Sequence, residues 1–126
     1  MPIRTVKVTV TTTGSDGSAT GAGYSRAAVN GEVLAVKVDW GATAPATSDI
    51  DVVVESDDDR PEVTLVDKDD SATDAWFYPK VQNTDAGGST ISGEYMHLPA
   101  AGRIKVSVAQ CNALDPAVAV YVFLRD

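Results

Sequence analysis

The sequence is short of the residues on which many catalytic and metal sites depend. Its 126 residues include one cysteine, Cys111, and one histidine, His97. A lone cysteine excludes an intrachain disulfide, and a zinc site would have to rely on carboxylates, so we expect neither a metal nor a cofactor. No serine lies in a Gly-x-Ser-x-Gly motif, and eight aromatic residues are few for a substrate cleft. We expect a protein that is not an enzyme, with His97 structural and Cys111 buried near a strand end.

Positive charge and long apolar runs are also scarce. Ten Lys and Arg face 18 Asp and Glu, which gives a net charge of −8. A protein needs a basic surface to bind nucleic acid, and a basic surface also favours binding to anionic membranes. We therefore expect neither a nucleic acid nor a membrane as a partner. No apolar run approaches the roughly 20 residues of a membrane helix, and no apolar signal core precedes the first strand pattern. Seven basic residues are scattered along the chain: Arg4, Lys7, Arg26, Lys37, Lys80, Arg103 and Lys105.

The residues that are abundant indicate β-structure. The chain contains 18 valines and 12 threonines but two methionines. Side chains that branch at Cβ have restricted rotamers in helices and pack well on a pleated sheet. Hydrophobic residues make up 44% and charged residues 22% of the chain, which is typical of a folded domain. We expect one all-β domain that spans residues 1–126.

Alternating apolar and polar residues predict about eight short strands. One-sided alternation of this kind is typical of an antiparallel β-sandwich, here expected to be jelly-roll-like. The clearest segments are 5–11, 49–55, 62–66, 103–110 and 117–124. We expect the last of these strands to lie inside a sheet rather than at an edge.

The dipeptide Asn30-Gly31 lies between two further β-type segments, 24–29 and 32–40. Because a type I′ turn needs positive φ at both central residues, Asn-Gly is a strong hairpin signal. We predict a hairpin here, and its second arm should face the core with Leu34, Val36, Val38 and Trp40. The polar segment 82–93 predicts a long loop or a flexible hairpin tip.

Two acidic loops interrupt the strand pattern. The first contains Asp57, Asp58 and Asp59, and the second contains Asp67, Asp69, Asp70 and Asp74. Clustered carboxylates could hold Ca²⁺, but the spacing is not that of an EF-hand, the turn glycine is absent and Lys68 intrudes. Aspartates also form ordinary turns. We expect solvated loops, with a calcium site as the alternative.

Three consecutive aromatic residues, Trp76, Phe77 and Tyr78, stand out in a chain with few aromatics. Residues alternate between the faces of a strand, so Trp76 and Tyr78 should point one way and Phe77 the other, unless a bulge intervenes. Such a segment is either part of the core or an interface anchor. We predict that Trp76, Phe77 and Tyr78 form a partner interface.

The order of several segments resembles that of small structural proteins of tailed bacteriophages. These segments are GEVLAVKVDW (31–40), DIDV (49–52), TDAWFYPK (73–80) and GRIKVSVAQ (102–110), followed by the final β run to Leu124-Arg125. The resemblance covers nearly the whole chain but consists of strand patterns and contains no catalytic motif. It implies a β-sandwich or jelly-roll virion protein of the capsid decoration, or cement, type.

This resemblance implies a mechanical function on the capsid exterior, where the protein would bind and stabilise the shell after assembly in the host cytoplasm. The implied partners are the major capsid protein and copies of this chain, with a trimer favoured. The alternative is a tail-associated or carbohydrate-binding β-sandwich, with Ca²⁺ in its acidic loops.

Overall fold

Ten β-strands are present in the computed structural model, which describes residues 2–55 and 62–126. In chain order they are β1 (Ile3–Val10), β2 (Ala19–Tyr24), β3 (Val29–Trp40), β4 (Asp49–Glu55), β5 (Val63–Lys68), β6 (Ala75–Phe77), β7 (Lys80–Thr84), β8 (Thr90–His97), β9 (Pro99–Cys111) and β10 (Val118–Arg125). These described residues contain no helix long and apolar enough to cross a bilayer. The all-β prediction is confirmed.

Eight of the strands form an antiparallel β-sandwich. One sheet has the order β1-β10-β3-β6, the other has the order β2-β9-β4-β5, and the beginnings of β3 and β9 pair to join them. When the eight strands are numbered without β7 and β8, the orders become 1-8-3-6 and 2-7-4-5. This is a jelly-roll arrangement. The predicted sandwich is confirmed, and β7 and β8 are a hairpin inserted before its last two strands.

Alternate residues of the strands fill the space between the two sheets. On β10, Val118, Val120, Val122 and Leu124 are fully buried, while Tyr121 and the other odd-numbered residues face outward. β10 pairs with β1 on one side and β3 on the other, so it lies inside a sheet as predicted. Cys111 is buried at the end of β9, also as expected. Each buried valine or leucine side chain contributes about 1.5–3 kcal/mol, so this alternation is the main source of stability.

The predicted hairpin at Asn30-Gly31 is wrong. Both residues lie within β3, where they pair with Ala101 and Ala100 of β9. β2 also pairs with β9 and not with β3. Gly31 has a φ of +138°, and the carbonyl of Arg125 occupies the space that a Cβ would need. Glycine therefore allows β3 to cross from one sheet to the other at this point, instead of reversing the chain.

A β-bulge in β3 changes which of its residues face the core. Leu124 lies opposite Val33, and Phe123 lies opposite Ala35, so Leu34 is the extra residue. One extra residue exchanges the two faces of the strand beyond it. Val33 is therefore fully buried, and Leu34, predicted to face the core, is only half-buried. The other predicted core residues of β3 are buried or packed against the core: Val36, Val38 and Trp40.

The two long sides of the sandwich differ in how closely the sheets approach. On one side β1 and β2 are in contact, and a bridge joins Thr13, which follows β1, to Thr20 of β2. Gly21 faces the carbonyl oxygen of Thr11 there, at a distance that leaves no room for a Cβ. On the opposite side, a cavity of about 310 Å³ separates β5 from β6. The sandwich is thus closed along one side and open along the other.

β7 and β8 form a separate two-stranded sheet, here called the arm. The carboxylate of Asp85 orders its tip by accepting hydrogen bonds from the backbone N–H groups of Gly87 and Ser89, at 2.9 and 3.0 Å. All residues from Thr90 to Met96 are exposed. The hairpin alternative for segment 82–93 is confirmed, and the paired strands extend beyond that segment.

Candidate functional site

The segment that contains Trp76, Phe77 and Tyr78 lies along the edge strand β6. Trp76 is 49% exposed and Tyr78 is 65% exposed, whereas Phe77 packs against the core. The alternation predicted for these three residues is confirmed. The two exposed rings are nearly parallel, with 9° between their planes and 6.3 Å between their centroids. The two rings stack on each other, and both remain exposed to solvent.

Neighbouring strands hold the Trp76 side chain in position. Its ring packs against Phe123 at 5.4 Å between centroids, and Lys37 Nζ lies 5.6 Å from its centroid. Lys37 is paired with Trp76 on β6 and with Tyr121 on β10, and Lys7 follows on β1 with its Nζ 5.5 Å from the Tyr121 ring. The row alternates cations with aromatic rings across four strands. Each such exposed cation–π contact contributes about 0.5–1 kcal/mol, so the row holds its side chains in position on the outer face of this sheet.

The arm carries further exposed apolar side chains. Val81 and Met96 lie opposite each other, and Ile91 and Tyr95 are also exposed. A two-stranded hairpin alone in water is only marginally stable, and clustered apolar residues at a surface mark interaction sites. The sequence pattern does not reveal this feature, because Val81 and Met96 are distant in sequence and meet only across the hairpin. Tyr95 and Met96 are consecutive in β8 and so point to opposite faces of the arm, which therefore exposes apolar side chains on both faces. We call these exposed side chains together the aromatic–arm surface, which consists of Trp76, Tyr78, Val81, Ile91, Tyr95 and Met96.

The cavity between β5 and β6 adjoins this surface. Val38, Ile50 and Phe77 contribute apolar walls, and the exposed Lys68 lines it as well. Its volume of about 310 Å³ is near the lower limit for small-molecule sites. Phe77 separates it from the exposed rings of Trp76 and Tyr78, since that side chain points inward.

The second acidic loop does not gather its carboxylates around one point. Asp74 accepts a hydrogen bond from the backbone N–H of Trp40 at 2.7 Å, while Asp49 accepts one from the N–H of Asp70 at 2.9 Å. Within residues 2–55 and 62–126, no group of three or more His, Cys, Asp or Glu side chains is placed to hold a metal ion. The first acidic loop, residues 57–59, lies outside the described residues.

Carboxylates do crowd together along β4 and β5. Asp51 and Asp67 lie directly opposite each other. Partial burial raises the pKa of Asp51, and the Asp67 carboxylate raises it further. The pKa of Asp69 is raised chiefly by the Asp49 carboxylate. Like charges directly opposite each other destabilise paired strands. We call this group the acidic edge, which consists of Asp49, Asp51, Asp67, Asp69 and Asp70.

Asp51→Asn is expected to raise the free energy of unfolding at neutral pH by about 0.5 kcal/mol, because it removes one charge of a partly screened pair. The pKa of Asp51 is raised in the folded state, so stability falls as pH rises from the unfolded value, near 3.8, through the folded one. The gain should therefore be full at neutral pH and absent below about pH 3. Thermal unfolding across this pH range measures it.

A matched control for this prediction is Asp39→Asn. The Asp39 carboxylate lies 3.7 Å from Lys37 Nζ, so it faces a cation and not another carboxylate. Replacing Asp39 should therefore not raise the free energy of unfolding at neutral pH. A gain from Asp51→Asn that persisted at low pH would contradict the electrostatic explanation.

His97 lies at the end of β8 and is partly buried, and its Nδ1 is enclosed without a hydrogen-bond partner among the residues that the structure describes. Nearby, a hydrogen bond from Arg125 lowers the pKa of Glu32, and the charge of His97 lowers it further. A catalytic histidine needs a group that orients its ring through the second nitrogen. Nδ1 of His97 has no such group.

Three of the basic residues that are scattered along the sequence come together in the fold. Arg4, Lys7 and Arg26 line one groove of about 270 Å³, here called the basic groove, between β1 and the bend from β2 to β3. On the other sheet, the Arg103 guanidinium lies 5.0 Å from the Tyr24 ring centroid. Sequence spacing could not show the groove, because only the packing of that bend against β1 brings residue 26 beside residues 4 and 7.

Comparisons with known proteins place the chain in no family. No family model matches it, and no curated protein matches it. Among solved structures, the crystal structure of FLHE aligns over 100% of this chain and 100% of that chain, at 15% sequence identity and a TM-score of 0.42. A similarity this low carries no argument about function.

Proposed function

We propose that this chain is a non-enzymatic virion protein of the capsid decoration type, which binds the exterior of an assembled shell and stabilises it. The aromatic–arm surface is the observation that carries the proposal. Exposed tryptophan and tyrosine side chains supply much of the binding energy at protein interfaces. The proposed partners are the major capsid protein and further copies of this chain, with a trimer favoured.

The arm favours a macromolecular partner over a small ligand. Residues from Thr90 to Met96 are exposed along the whole strand, so the arm buries little apolar surface of its own. A macromolecular partner that encloses both faces of the arm would remove Val81, Tyr95 and Met96 from water, whereas a small molecule would cover one face at most. Two weaker observations also support it: the order of the sequence segments resembles that of phage structural proteins, and jelly rolls occur in viral capsid domains, although a fold alone does not establish a function.

Trp76→Ala and Tyr78→Ala are each expected to weaken binding to capsids by about thirtyfold, the loss of about 2 kcal/mol that is typical of an aromatic anchor. Purified protein is added to DNA-filled capsids that lack it. Cosedimentation then measures bound copies, and cryo-electron microscopy locates them. The wild-type protein should occupy regular positions on the outer lattice.

Tyr24→Ala is the matched control, because Tyr24 is also exposed, at 43%, but lies on the other sheet. This variant should bind capsids as the wild type does. The proposal fails if the wild-type protein is absent from the outer lattice. Wild-type binding by both the Trp76 and the Tyr78 variants would show that another surface is used.

A carbohydrate-binding or tail-associated module is the second candidate. The exposed ring of Tyr78, next to that of Trp76, favours it, because the apolar face of a sugar ring can stack on an aromatic plane. This candidate predicts that a host-surface polysaccharide quenches the fluorescence of Trp76 and that Tyr78→Ala removes the response. Such a response together with no capsid binding would replace the first proposal with this one.

A further inference from the structure

The basic groove concentrates positive charge on an acidic protein. Arg4, Lys7 and Arg26 line it with Val6, and no carboxylate is among the lining residues within 2–55 and 62–126. Asp126 lies 3.5 Å from the Arg4 guanidinium, but both side chains are about half exposed, and such a pair contributes little. Arg4 and Arg26 therefore supply the positive charge of the groove in a chain whose net charge is −8, since the Lys7 ammonium lies over the Tyr121 ring.

We propose that the basic groove of one copy of this chain receives the acidic edge of a second copy, in a head-to-tail contact. The proposal deepens the proposed function, on which it rests for the presence of several copies at one assembly site. It commits to a second copy as the occupant because the complementary charge lies on this chain itself.

The strand order places the two surfaces on opposite sides of the molecule. β1 and β2 are in contact along one side of the sandwich, whereas β5 and β6 lie along the other. A single chain therefore cannot bring its acidic edge to its own groove, but two neighbouring chains can. Contacts between two different surfaces close into a ring when the rotation per copy allows it, and a trimer is the smallest such ring.

The acidic edge supplies the negative charge that complements the groove. Contact with the groove would also reduce the repulsion between the carboxylates of the acidic edge. Asp51 and Asp67 oppose each other across the strands, and Asp49 lies near Asp69, so their carboxylates repel. Cations from a second copy would replace this repulsion with attraction. The net charge of each copy opposes association, but at about 0.15 M salt the Debye length is about 8 Å, so charges in contact outweigh distant ones.

Two charge-reversed proteins test the contact. The groove variant is Arg4→Glu with Arg26→Glu, and the edge variant is Asp67→Lys with Asp69→Lys. Sedimentation velocity at about 0.15 M salt should show concentration-dependent association of the wild type and at least tenfold weaker association of each variant alone. An equimolar mixture of the two variants should associate again, because the reversed groove of one variant then meets the reversed edge of the other. The two variants cannot alternate around a three-membered ring, so the expected products are pairs and even-numbered assemblies.

The control protein is Lys80→Glu with Lys105→Glu, which changes the net charge as much as the groove variant does but lies outside both surfaces. It should associate as the wild type does. Recovery in the mixture also shows that both variants are folded. A wild type that stays monomeric at every concentration, a variant that associates like the wild type, or a mixture that stays monomeric each overturns the proposal.

These outcomes are separable from the proposed function. If the wild type self-associates by this contact but does not bind capsids, the head-to-tail contact stands and the decoration function fails. If the monomeric wild type binds capsids and the groove variant does not, the groove meets the shell itself, and the contact between copies is wrong.

Discussion

Gly21→Ala is expected to lower the free energy of unfolding by about 3 kcal/mol and Tm by about 10 °C, as measured by thermal and denaturant unfolding. A Cβ at this position would collide with the backbone carbonyl oxygen of Thr11, and Val10 Cγ1 would also be within 3.1 Å. Backbone cannot rotate away as a side chain can, so β1 and β2 would have to separate. The side of the sandwich that these strands close would open.

The sign of this effect is informative, because replacing glycine with alanine at an unstrained position usually stabilises a protein by about 0.4–1 kcal/mol. Gly87 in the arm tip is such a position: its Cβ would meet only the Asp85 carboxylate, at 3.4 Å. Gly87→Ala should therefore leave Tm unchanged or raise it slightly. If Gly21→Ala behaved like Gly87→Ala, the close approach of β1 and β2 would be wrong.

Ile104→Ala is expected to cost about 4 kcal/mol, within the range for removing a large aliphatic side chain from a core. Ile104 is fully buried on β9, opposite Val54 of β4. Its backbone is held at the same time, since its N–H donates to the Ser25 hydroxyl at 3.0 Å and its carbonyl accepts from the Ser25 N–H at 2.9 Å. The strand cannot move to fill the space, so a cavity should remain.

Ile3→Ala is the matched control, with the same atoms removed from a side chain that is 62% exposed. Its effect on the free energy of unfolding should stay within about 0.5 kcal/mol. Urea denaturation of both variants, with unchanged m-values, measures the difference. Similar losses from the two variants would mean that the core is not where this structure places it.

Individual strands could be predicted from the sequence because the alternation of apolar and polar residues lies within each segment. The alternation of Val118, Val120 and Val122 predicts a strand and its buried face without reference to any other segment. The same reasoning failed at Leu34, where a bulge exchanged the faces, and at Asn30-Gly31, where pairing with β9 overrode a turn signal. Both errors arise from pairing between distant segments, which local patterns do not contain.

The candidate surfaces were predicted unequally for the same reason. Consecutive aromatic residues identified the segment from Trp76 to Tyr78, and strand geometry gave the directions of their side chains. The arm was missed as an apolar surface because Val81 and Met96 are distant in sequence and meet only across the hairpin. The basic groove required residues 4 and 26 to meet, which depends on tertiary packing.

By itself, the sequence determined that this protein is all-β, because its β-branched residues recur with a period of two and each strand needs one buried face. It also singled out the aromatic segment. Only the tertiary structure decided the strand order, the closing of one side of the sandwich at Gly21 and the separation of the basic groove from the acidic edge. These features depend on which strands pair and how closely they pack, and both depend on the packing of all the strands around one core.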